Sequence, residues 1–223
     1  MKSILRAYKH APEAHLSSYC IPIFVDGKSC GRLRPLTIDS LHREEEMRLL
    51  TEWRGASAEW FTSQFPVTVE GTRQWVDEQI LQADDRILFL VEDEDMTPIG
   101  QVGLLHYDED KKECEFDNLL RGRKGRFGNI ILYALLALGE WGIRQLGLQT
   151  GYLNVLGDNH RAMHIYRKLG FREVRRVPLR KVTEGDVTRW VTAPELSGGE
   201  AERELVTMSV ATDAYYEIIK QFQ

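Results

Sequence analysis

The sequence predicts a single α/β domain built on a mixed sheet, and three observations lead to this fold class. The chain has 223 residues, of which 43% are hydrophobic and 28% charged, so it is long enough to bury one substantial core. Residues 86–120 read as three strands separated by short turns, which is typical of an antiparallel meander. Residues 130–143 are apolar almost all round, which indicates a helix buried in the body of a domain. The elements do not alternate regularly between strand and helix, so a doubly wound parallel sheet is not expected.

The first 32 residues are interpreted as an N-terminal extension of a domain that spans residues 33–223. Two strand-like segments, 21–25 and 30–36, flank Asp26 and Gly27, a dipeptide that favours the type I′ turn of a β-hairpin. Pro22 and Pro35 each lack a backbone donor for a sheet. An edge hairpin is therefore the most that this extension is expected to form.

The spacing of apolar residues predicts the elements that follow. Helices are expected over 41–60 and 68–81, strands over 86–92, 99–107 and 114–120, the buried helix over 130–143, a strand over 148–156, a helix over 159–169 and a strand over 171–182. Residues 183–202 are polar and contain glycine, which predicts a loop or the tip of a long hairpin. A last strand over 205–211 and a short helix through Ile218 complete the domain.

The overall charge and the cysteine content exclude several classes of protein. With 29 Lys and Arg against 34 Asp and Glu, the net charge is −5, which argues against a dedicated nucleic-acid binder. The longest uncharged apolar stretch, 127–139, is shorter than the roughly 20 residues of a membrane-spanning helix. Lys2 and Arg6 interrupt any apolar region of a signal peptide. Three cysteines, widely spaced, do not form a zinc cluster. We therefore expect a cytoplasmic protein with no membrane or nucleic-acid partner and no structural metal.

A basic, glycine-rich segment over 121–129 separates the third meander strand from the buried helix. Glycine lets backbone amides approach a ligand, and a helix N-terminus offers unpaired N–H groups and a positive dipole end. A solvated surface loop is the alternative, but four basic side chains in front of a buried helix favour a phosphate site. The candidate residues are Arg123, Lys124, Gly125, Arg126, Phe127, Gly128 and Asn129. Their spacing matches neither a P-loop nor the dinucleotide-binding fingerprint.

The second distinctive segment is 159–171, which reads as a short helix with both ends marked. Asn159 suits an N-cap and Gly170 the left-handed residue after a helix. Tyr166 shares a face with apolar residues and is expected to point inward. It is either a core tyrosine with a hydrogen-bonded hydroxyl or a proton donor.

These two segments together resemble the GNAT superfamily of acetyl-CoA-dependent N-acetyltransferases. Residues 159–171 follow the pattern Asn-x-x-Ala-x-x-x-Tyr-x-Lys-x-Gly-Phe, and the resemblance extends from about residue 33 to the C-terminus. It implies a mostly antiparallel central sheet flanked by helices, with two strands splayed apart at the acetyl-CoA site. The loop departs from the usual family pattern, because Gly125 and Gly128 are separated by two residues.

The resemblance also implies roles for individual residues. Acetyl-CoA would lie beside Asn118, Leu119 and Leu120, with its diphosphate on residues 125–129 and with Asn159 and Tyr166 nearby. Tyr166 would protonate the departing thiolate, and an amide near Leu119 or Leu120 would stabilise the oxyanion. Glu115 and Asp117 share one strand face and are candidate bases. The alternative is that both carboxylates are simply solvated on the surface of an acidic hairpin. His106 is a weaker alternative base.

The acceptor is expected to be a primary amine, most plausibly that of a nucleotide-linked amino sugar. Trp53 and Arg54 resemble the Trp-Arg-Asn signature of members that acetylate such sugars or protein N-termini, with Gly55 in place of Asn. Together with His106 they are the predicted acceptor-binding residues. The alternatives are a ribosomal-protein type N-terminal acetyltransferase and a non-catalytic acyl-CoA-binding module. His160 and His164 have no third ligand near them, so no metal is expected, and the protein is expected to be a monomer or a homodimer.

Overall fold

The structure, a computed structural model, describes residues 2–192 and 202–222. Its helices are α1 (Lys2–Lys9), α2 (Glu44–Ala56), α3 (Val69–Trp75), α4 (Ile130–Trp141), α5 (His160–Lys168) and α6 (Thr212–Phe222). Its strands are β1 (Ile21–Val25), β2 (Lys28–Pro35), β3 (Ser63–Gln64), β4 (Ile87–Asp93), β5 (Pro98–Asp108), β6 (Glu113–Arg121), β7 (Thr150–Leu156), β8 (Arg172–Glu184), β9 (Val187–Thr192) and β10 (Arg203–Ala211). Short π-helical turns continue α3 through Leu81 and α4 through Leu146.

These strands form one sheet in the order β1-β2-β4-β5-β6-β7-β10-β8-β9-β3. Neighbouring strands are antiparallel except β6 and β7, which run parallel. The predicted mixed, mostly antiparallel sheet flanked by helices is therefore confirmed, and it is the fold that the resemblance implies.

The parallel pair is short, and this determines where the sheet opens. Only Glu113, Cys114 and Glu115 pair with β7, at Thr150–Tyr152. Beyond these positions β6 continues to Arg121 and β7 to Leu156 without pairing to each other. The two strands diverge, as the resemblance implies, and leave a gap in the middle of the sheet.

Both faces of the sheet are covered by apolar layers. In β4, Phe89 and Val91 belong to a large cluster that includes α4 and α6, whereas Leu88 and Leu90 face a second cluster with α2 and α3. A strand buried on both faces reads as a continuous apolar run. Helix α4 is embedded in the large cluster, which confirms the prediction from its all-round apolarity.

The N-terminal residues form more structure than their sequence indicates. The hairpin of β1 and β2 turns at Asp26 and Gly27, whose φ values of 49° and 71° suit the predicted type I′ turn. Helix α1 was not among the predicted elements, and it buries Leu5 completely. Ile4, Leu5 and Tyr8 do recur at helical spacing, but eight residues are fewer than the window over which helical periodicity is read. The division at residue 32 stays a prediction.

The segment 183–202 is the other place where the structure corrects the predicted elements. Strand β8 continues through Glu184 and pairs with β9, which begins at Val187. The hairpin tip is therefore only Gly185 and Asp186, and Gly185 has a φ of 57° that favours glycine. The β-branched residues on both sides favour strands over a loop. Residues 193–201 lie outside the described residues.

Candidate active site

A cleft of about 1300 Å³ opens where β6 and β7 diverge. Among the residues predicted for the site, those that line it are Glu115, Asp117, Asn118, Leu119, Leu120, Gly128, Asn129, Asn159 and Tyr166. They come from β6, the start of α4 and α5, which lie far apart along the chain. The structure therefore brings the predicted base, the predicted acid and part of the predicted phosphate loop to one cavity.

Strand β6 carries a bulge at the point where it enters the cleft. Its pairing with β5 passes from Gln101–Leu120 to Gly103–Asp117, so Asn118 and Leu119 stand opposite the single residue Val102. Asn118 has a φ of 55°, which is uncommon for a residue other than glycine. Such a bulge disrupts the ladder and re-aims side chains, and it frees backbone groups here to meet a ligand.

Tyr166 lies on α5 with 8% of its surface exposed, at the cleft wall. The buried tyrosines Tyr107 and Tyr215 donate their hydroxyls to backbone carbonyls, of Leu146 at 2.9 Å and of Leu135 at 2.7 Å. In the part of the chain that the structure describes, the Tyr166 hydroxyl has no such partner. Burial raises the pKa of Tyr166, and the nearby Asp117 carboxylate raises it further, so the hydroxyl keeps its proton at neutral pH.

The helix that carries Tyr166 has the ends that the sequence predicts. The Asn159 side chain accepts a hydrogen bond from the Ala162 amide at 3.1 Å, and Gly170 has a φ of 84°. The N-cap and the glycine stop are therefore confirmed. They set the rotation of α5 that turns Tyr166 towards the cleft.

Glu115 and Asp117 share one face of β6, and both are partly withdrawn from water. Burial is the main cause that raises the pKa of each carboxyl. Asn154 donates to Glu115 Oε1 at 2.7 Å, and Thr207 donates to Asn154 Oδ1 at 2.7 Å. A carboxylate with a raised pKa accepts a proton more readily near neutral pH, as a general base must.

Within the basic segment 121–129, the cleft is lined by Arg121 at one end and by Gly128 and Asn129 at the other. A Cβ at Gly128 would meet open space. The Asn129 side chain does not cap α4. The amides of Ile130 and Leu132 donate to the carbonyls of Phe127 and Asn129, so among the described residues the Ile131 amide is the first-turn donor left for an anion. The other predicted residues do not line the cavity: Arg123, Lys124, Gly125, Arg126 and Phe127. Arg126 pairs with Glu94 at 2.6 Å.

The three predicted acceptor residues occupy different environments. Trp53 is only 4% exposed, within the cluster under α2, and a Cβ on Gly122 would lie 1.9 Å from its ring. Arg54 stacks on Phe61 at 3.5 Å and donates to the Ser63 carbonyl at 2.7 Å. Burial lowers the pKa of Arg54 to about 10, with Asp117 acting in the opposite direction. His106 is exposed between Asp85 and Glu115.

Sequence reasoning missed several residues of the site. Asn154 holds Glu115 in place, and its signal was a polar residue at an exposed position of an otherwise apolar strand. Trp60 and Phe61 line the cavity beside the acidic face. Trp60 is the last residue of the predicted helix over 41–60 and Phe61 follows it, and aromatic residues at a helix end are not distinctive. Across residues 2–192 and 202–222, no group of three or more His, Cys, Asp or Glu side chains could hold a metal ion. No helix within these ranges is long and apolar enough to span a membrane.

Comparison with known proteins agrees with this geometry. The family model described as an acetyltransferase (GNAT) domain matches residues 32–172. No curated protein matches the chain significantly.

Solved structures similar to this chain include a mutant form of the spermidine/spermine N-acetyltransferase from Vibrio cholerae, with 16% identity and a TM-score of 0.60 over 83% of this chain and 95% of that one. A structure described as a putative acetyltransferase has 15% identity and a TM-score of 0.61, covering 86% of this chain and 89% of its own. The Vibrio cholerae enzyme in complex with CoA and spermine has 17% identity and a TM-score of 0.57, over 82% and 96% of the two chains. At these identities the likeness is one of fold.

The family match covers well over half of the chain and includes β6, the basic loop, α4, β7 and α5, which build the cleft. The chain therefore belongs to the GNAT acetyltransferase family and is an acetyl-CoA-dependent N-acetyltransferase.

Proposed function

We propose that the acceptor is the primary amine of a nucleotide-linked amino sugar. The observation that carries this proposal is the environment of Arg54, which does not itself line the cavity but stacks on Phe61, a residue of the cavity wall. One guanidinium nitrogen of Arg54, Nη1, is buried without a hydrogen-bond partner, and the ring of Phe61 packs against the group. An arginine without a carboxylate partner suits a phosphate, which it binds through a planar fork of donors.

The aromatic residues around this arginine suit the remaining parts of such an acceptor. Trp60 and Phe65 are exposed for 39% and 45% of their surfaces, and Trp60 lines the cleft. Exposed aromatic faces bind nucleobases and sugar rings by stacking. A second arginine, Arg203, lies 5.9 Å from Trp60 and is paired with Asp158 at 2.7 Å. Because Asp158 already neutralises Arg203, Arg54 is the guanidinium that favours an anionic acceptor over a polycation.

The residues of the cleft also fit the acetyl donor. The amides at the start of α4 and residues Gly128 and Asn129 would hold the diphosphate, and the unpaired edge of β6 from Asn118 to Leu120 would hold the pantetheine arm. Acetyl-CoA supplies the thioester carbonyl that the amine attacks. Gly128 is exposed to open space, which permits the close backbone approach that a phosphate needs.

Within this arrangement, each step of the transfer has a residue suited to it. Glu115, with Asp117 as its neighbour, removes a proton from the acceptor ammonium, because only the neutral amine is nucleophilic. A backbone N–H at the β6 bulge, near Leu119 or Leu120, donates to the developing oxyanion. Tyr166 donates its unpartnered hydroxyl proton to the thiolate. This free hydroxyl favours catalysis over a silent acyl-CoA-binding module.

A polyamine acceptor is the second candidate. Solved structures with the same fold are described as spermidine or spermine N-acetyltransferases, and the carboxylates Glu115 and Asp117 could attract a cationic amine. The unsatisfied Arg54 would oppose a polycation by charge repulsion. A protein N-terminus, the remaining alternative, carries no diphosphate and would not use Arg54 in this way.

Acetyl-CoA consumption with a panel of amines tests the proposal. The panel contains nucleotide amino sugars, free amino sugars, polyamines and peptides, each assayed with wild type and Arg54→Lys. We expect turnover of a nucleotide amino sugar, with a KM about 10-fold higher in Arg54→Lys because the bidentate contact is lost. The KM for acetyl-CoA should not change. The matched control is Arg48→Lys, six residues earlier on α2, where the arginine pairs with Glu45 on the surface.

Three outcomes would contradict the proposal. Turnover of polyamines with no turnover of any nucleotide amino sugar would assign the second candidate function instead. Turnover of peptides alone would assign N-terminal protein acetylation. An equal effect of Arg48→Lys and Arg54→Lys would show that the loss is not specific to the guanidinium fork of Arg54.

A further inference from the structure

His106 lies in an irregular part of β5, beside the candidate base. Its φ is 53°, although residues other than glycine rarely adopt this region. The pairing of β5 with β6 skips from Leu105 to Asp108, so His106 forms part of a bulge. Within strands of the described residues, only His106 and Asn118 have a left-handed backbone, and they sit on neighbouring strands. Strained backbone of this kind clusters at functional sites.

The bulge places the imidazole between two carboxylates. His106 Nδ1 lies 3.5 Å from Asp85 Oδ2, and Nε2 lies 3.8 Å from Glu115 Oε2. Arg86 donates to Asp85 Oδ1 at 3.1 Å, and Asn154 donates to Glu115 Oε1 at 2.7 Å. Each carboxylate therefore uses one oxygen for a fixed donor and presents the other to the imidazole.

The imidazole also connects the inside of the cleft with water. The Glu115 side chain is 14% exposed, whereas the His106 side chain is 51% exposed. The charged groups that face the imidazole are Asp85 and Arg86, before β4, and Glu115 and Asp117 on β6. Three carboxylates and one arginine therefore lie around the imidazole, which spans the distance from the buried Glu115 to water.

We propose that His106 is a positioning residue that accepts the amine proton from Glu115 and passes it to solvent, with Asp85 orienting the ring. This inference rests on the proposed role of Glu115 as the base. It does not depend on which amine is the acceptor.

The protons balance along this route. An ammonium acceptor keeps one hydrogen in the amide product and loses two protons, of which one ends on the CoA thiol and the other in water. For the proton that ends in water, the N–H bond of the ammonium breaks as the Glu115 Oε2–H bond forms. When Glu115 Oε2 and His106 Nε2 close from 3.8 Å to hydrogen-bond distance, that bond breaks as His106 Nε2–H forms. The imidazolium beside Asp85 then releases its proton to water.

Imidazole rescue of His106→Gly tests the relay. Glycine accepts the positive φ, so the bulge is preserved, and the exposed vacancy admits imidazole from the buffer. With the best amine of the panel, we expect kcat to fall about 10-fold at neutral pH and added imidazole to restore most of it. The KM for acetyl-CoA should stay constant, and the acidic limb of the pH profile of kcat/KM should move.

A second variant and a second background separate this role from a structural one. His106→Asn tolerates the same backbone conformation and should show the same loss of kcat without rescue by imidazole. In a Glu115→Gln background, His106→Gly should cause no further loss, because the relay has already lost its donor.

Retention of wild-type kcat in His106→Gly would overturn the inference, and so would an equal loss in both backgrounds without rescue. Neither result would affect the acceptor identified by the panel. Conversely, the rescue experiment can be carried out with a polyamine or a peptide if the proposed sugar acceptor fails.

Discussion

The hydroxyl of Tyr166 differs from those of the other buried tyrosines in what it can donate to. Tyr215 uses its proton for the Leu135 carbonyl, a bond that contributes to the stability of the core. The Tyr166 hydroxyl faces the cleft, where the departing thiolate of the reaction must be protonated. At the scale of single residues, hydrogen bonding rather than burial distinguishes a tyrosine that stabilises the core from one that can donate a proton in the reaction.

Tyr166→Phe removes the proton donor and keeps the ring. We expect kcat to fall by about 100-fold or more, with little change in the free energy of unfolding, because no protein hydrogen bond is lost. Steady-state kinetics and urea unfolding measure the two quantities.

Tyr215→Phe is the matched control. It should lose about 1 kcal/mol of stability and keep its turnover. The reverse pattern, with Tyr166→Phe destabilised and fully active, would show that Tyr166 is a structural residue of the core and not the proton donor.

At the scale of secondary-structure elements, the junction between the basic loop and α4 determines how the acetyl donor binds. Gly128 and Asn129 approach the cleft, whereas Arg126 is held by Glu94 on the neighbouring turn. The helix end and its backbone amides are therefore better placed for the diphosphate than the basic side chains.

Gly128→Asp should weaken CoA binding at least 10-fold, because its carboxylate repels the diphosphate at the helix N-terminus. Nothing lies within 4 Å of the added Cβ, so the fold should be preserved. Calorimetric titration with CoA measures the affinity.

Gly55→Asp is the corresponding control, since Gly55 lies on α2, also in open space. It should bind CoA like the wild type. An unchanged CoA affinity in folded Gly128→Asp would show that the N-terminal end of α4 does not bind CoA.

At the scale of the whole molecule, the N-terminal residues are tied to the domain by buried polar contacts. Lys9, at the end of α1, is 2% exposed and donates to the carbonyls of Ile80 and Ala83, at the end of the turn that follows α3. Burial lowers the pKa of Lys9 to about 8 from an ordinary value of 10.5. Residues before the family match are thus part of the packed structure.

Lys9 should make stability depend on pH. Between about pH 8 and 10.5 the unfolded chain keeps a proton on Lys9 that the folded chain has released, so stability increases as the pH rises through this range. The increase attributable to Lys9 should be about 2 kcal/mol after solvent screening.

Urea unfolding of wild type and Lys9→Met from pH 7 to 10.5 measures this contribution as the difference between the two pH slopes. Lys220→Met, which alters an exposed lysine of α6, is the control and should retain the wild-type slope. Parallel pH profiles for wild type and Lys9→Met would contradict the prediction.

Local sequence signals were sufficient wherever one element could be read from its own residues. Strand β4, helix α4, the turn at Asp26 and Gly27, and both ends of α5 follow from periodicity, caps and glycine. The pattern of residues 159–171 was enough to indicate the family. Helix α1 was missed because its eight residues are fewer than the window over which helical periodicity is read. Strand β9 was missed because its stability comes from pairing with β8.

The geometry of the site depended on contacts between distant parts of the chain. The sequence by itself determined that Tyr166 would face inward and that Glu115 and Asp117 would share a strand face. Only the tertiary structure decided that β6 and β7 diverge after three paired residues, that Trp53 is buried against Gly122, and that Asp85 and Asn154 flank the His106–Glu115 pair. The physical reason is that helix and strand periodicity describe which side of an element a residue occupies. Strand splay, bulges and side-chain partners are instead determined by the packing of the whole sheet.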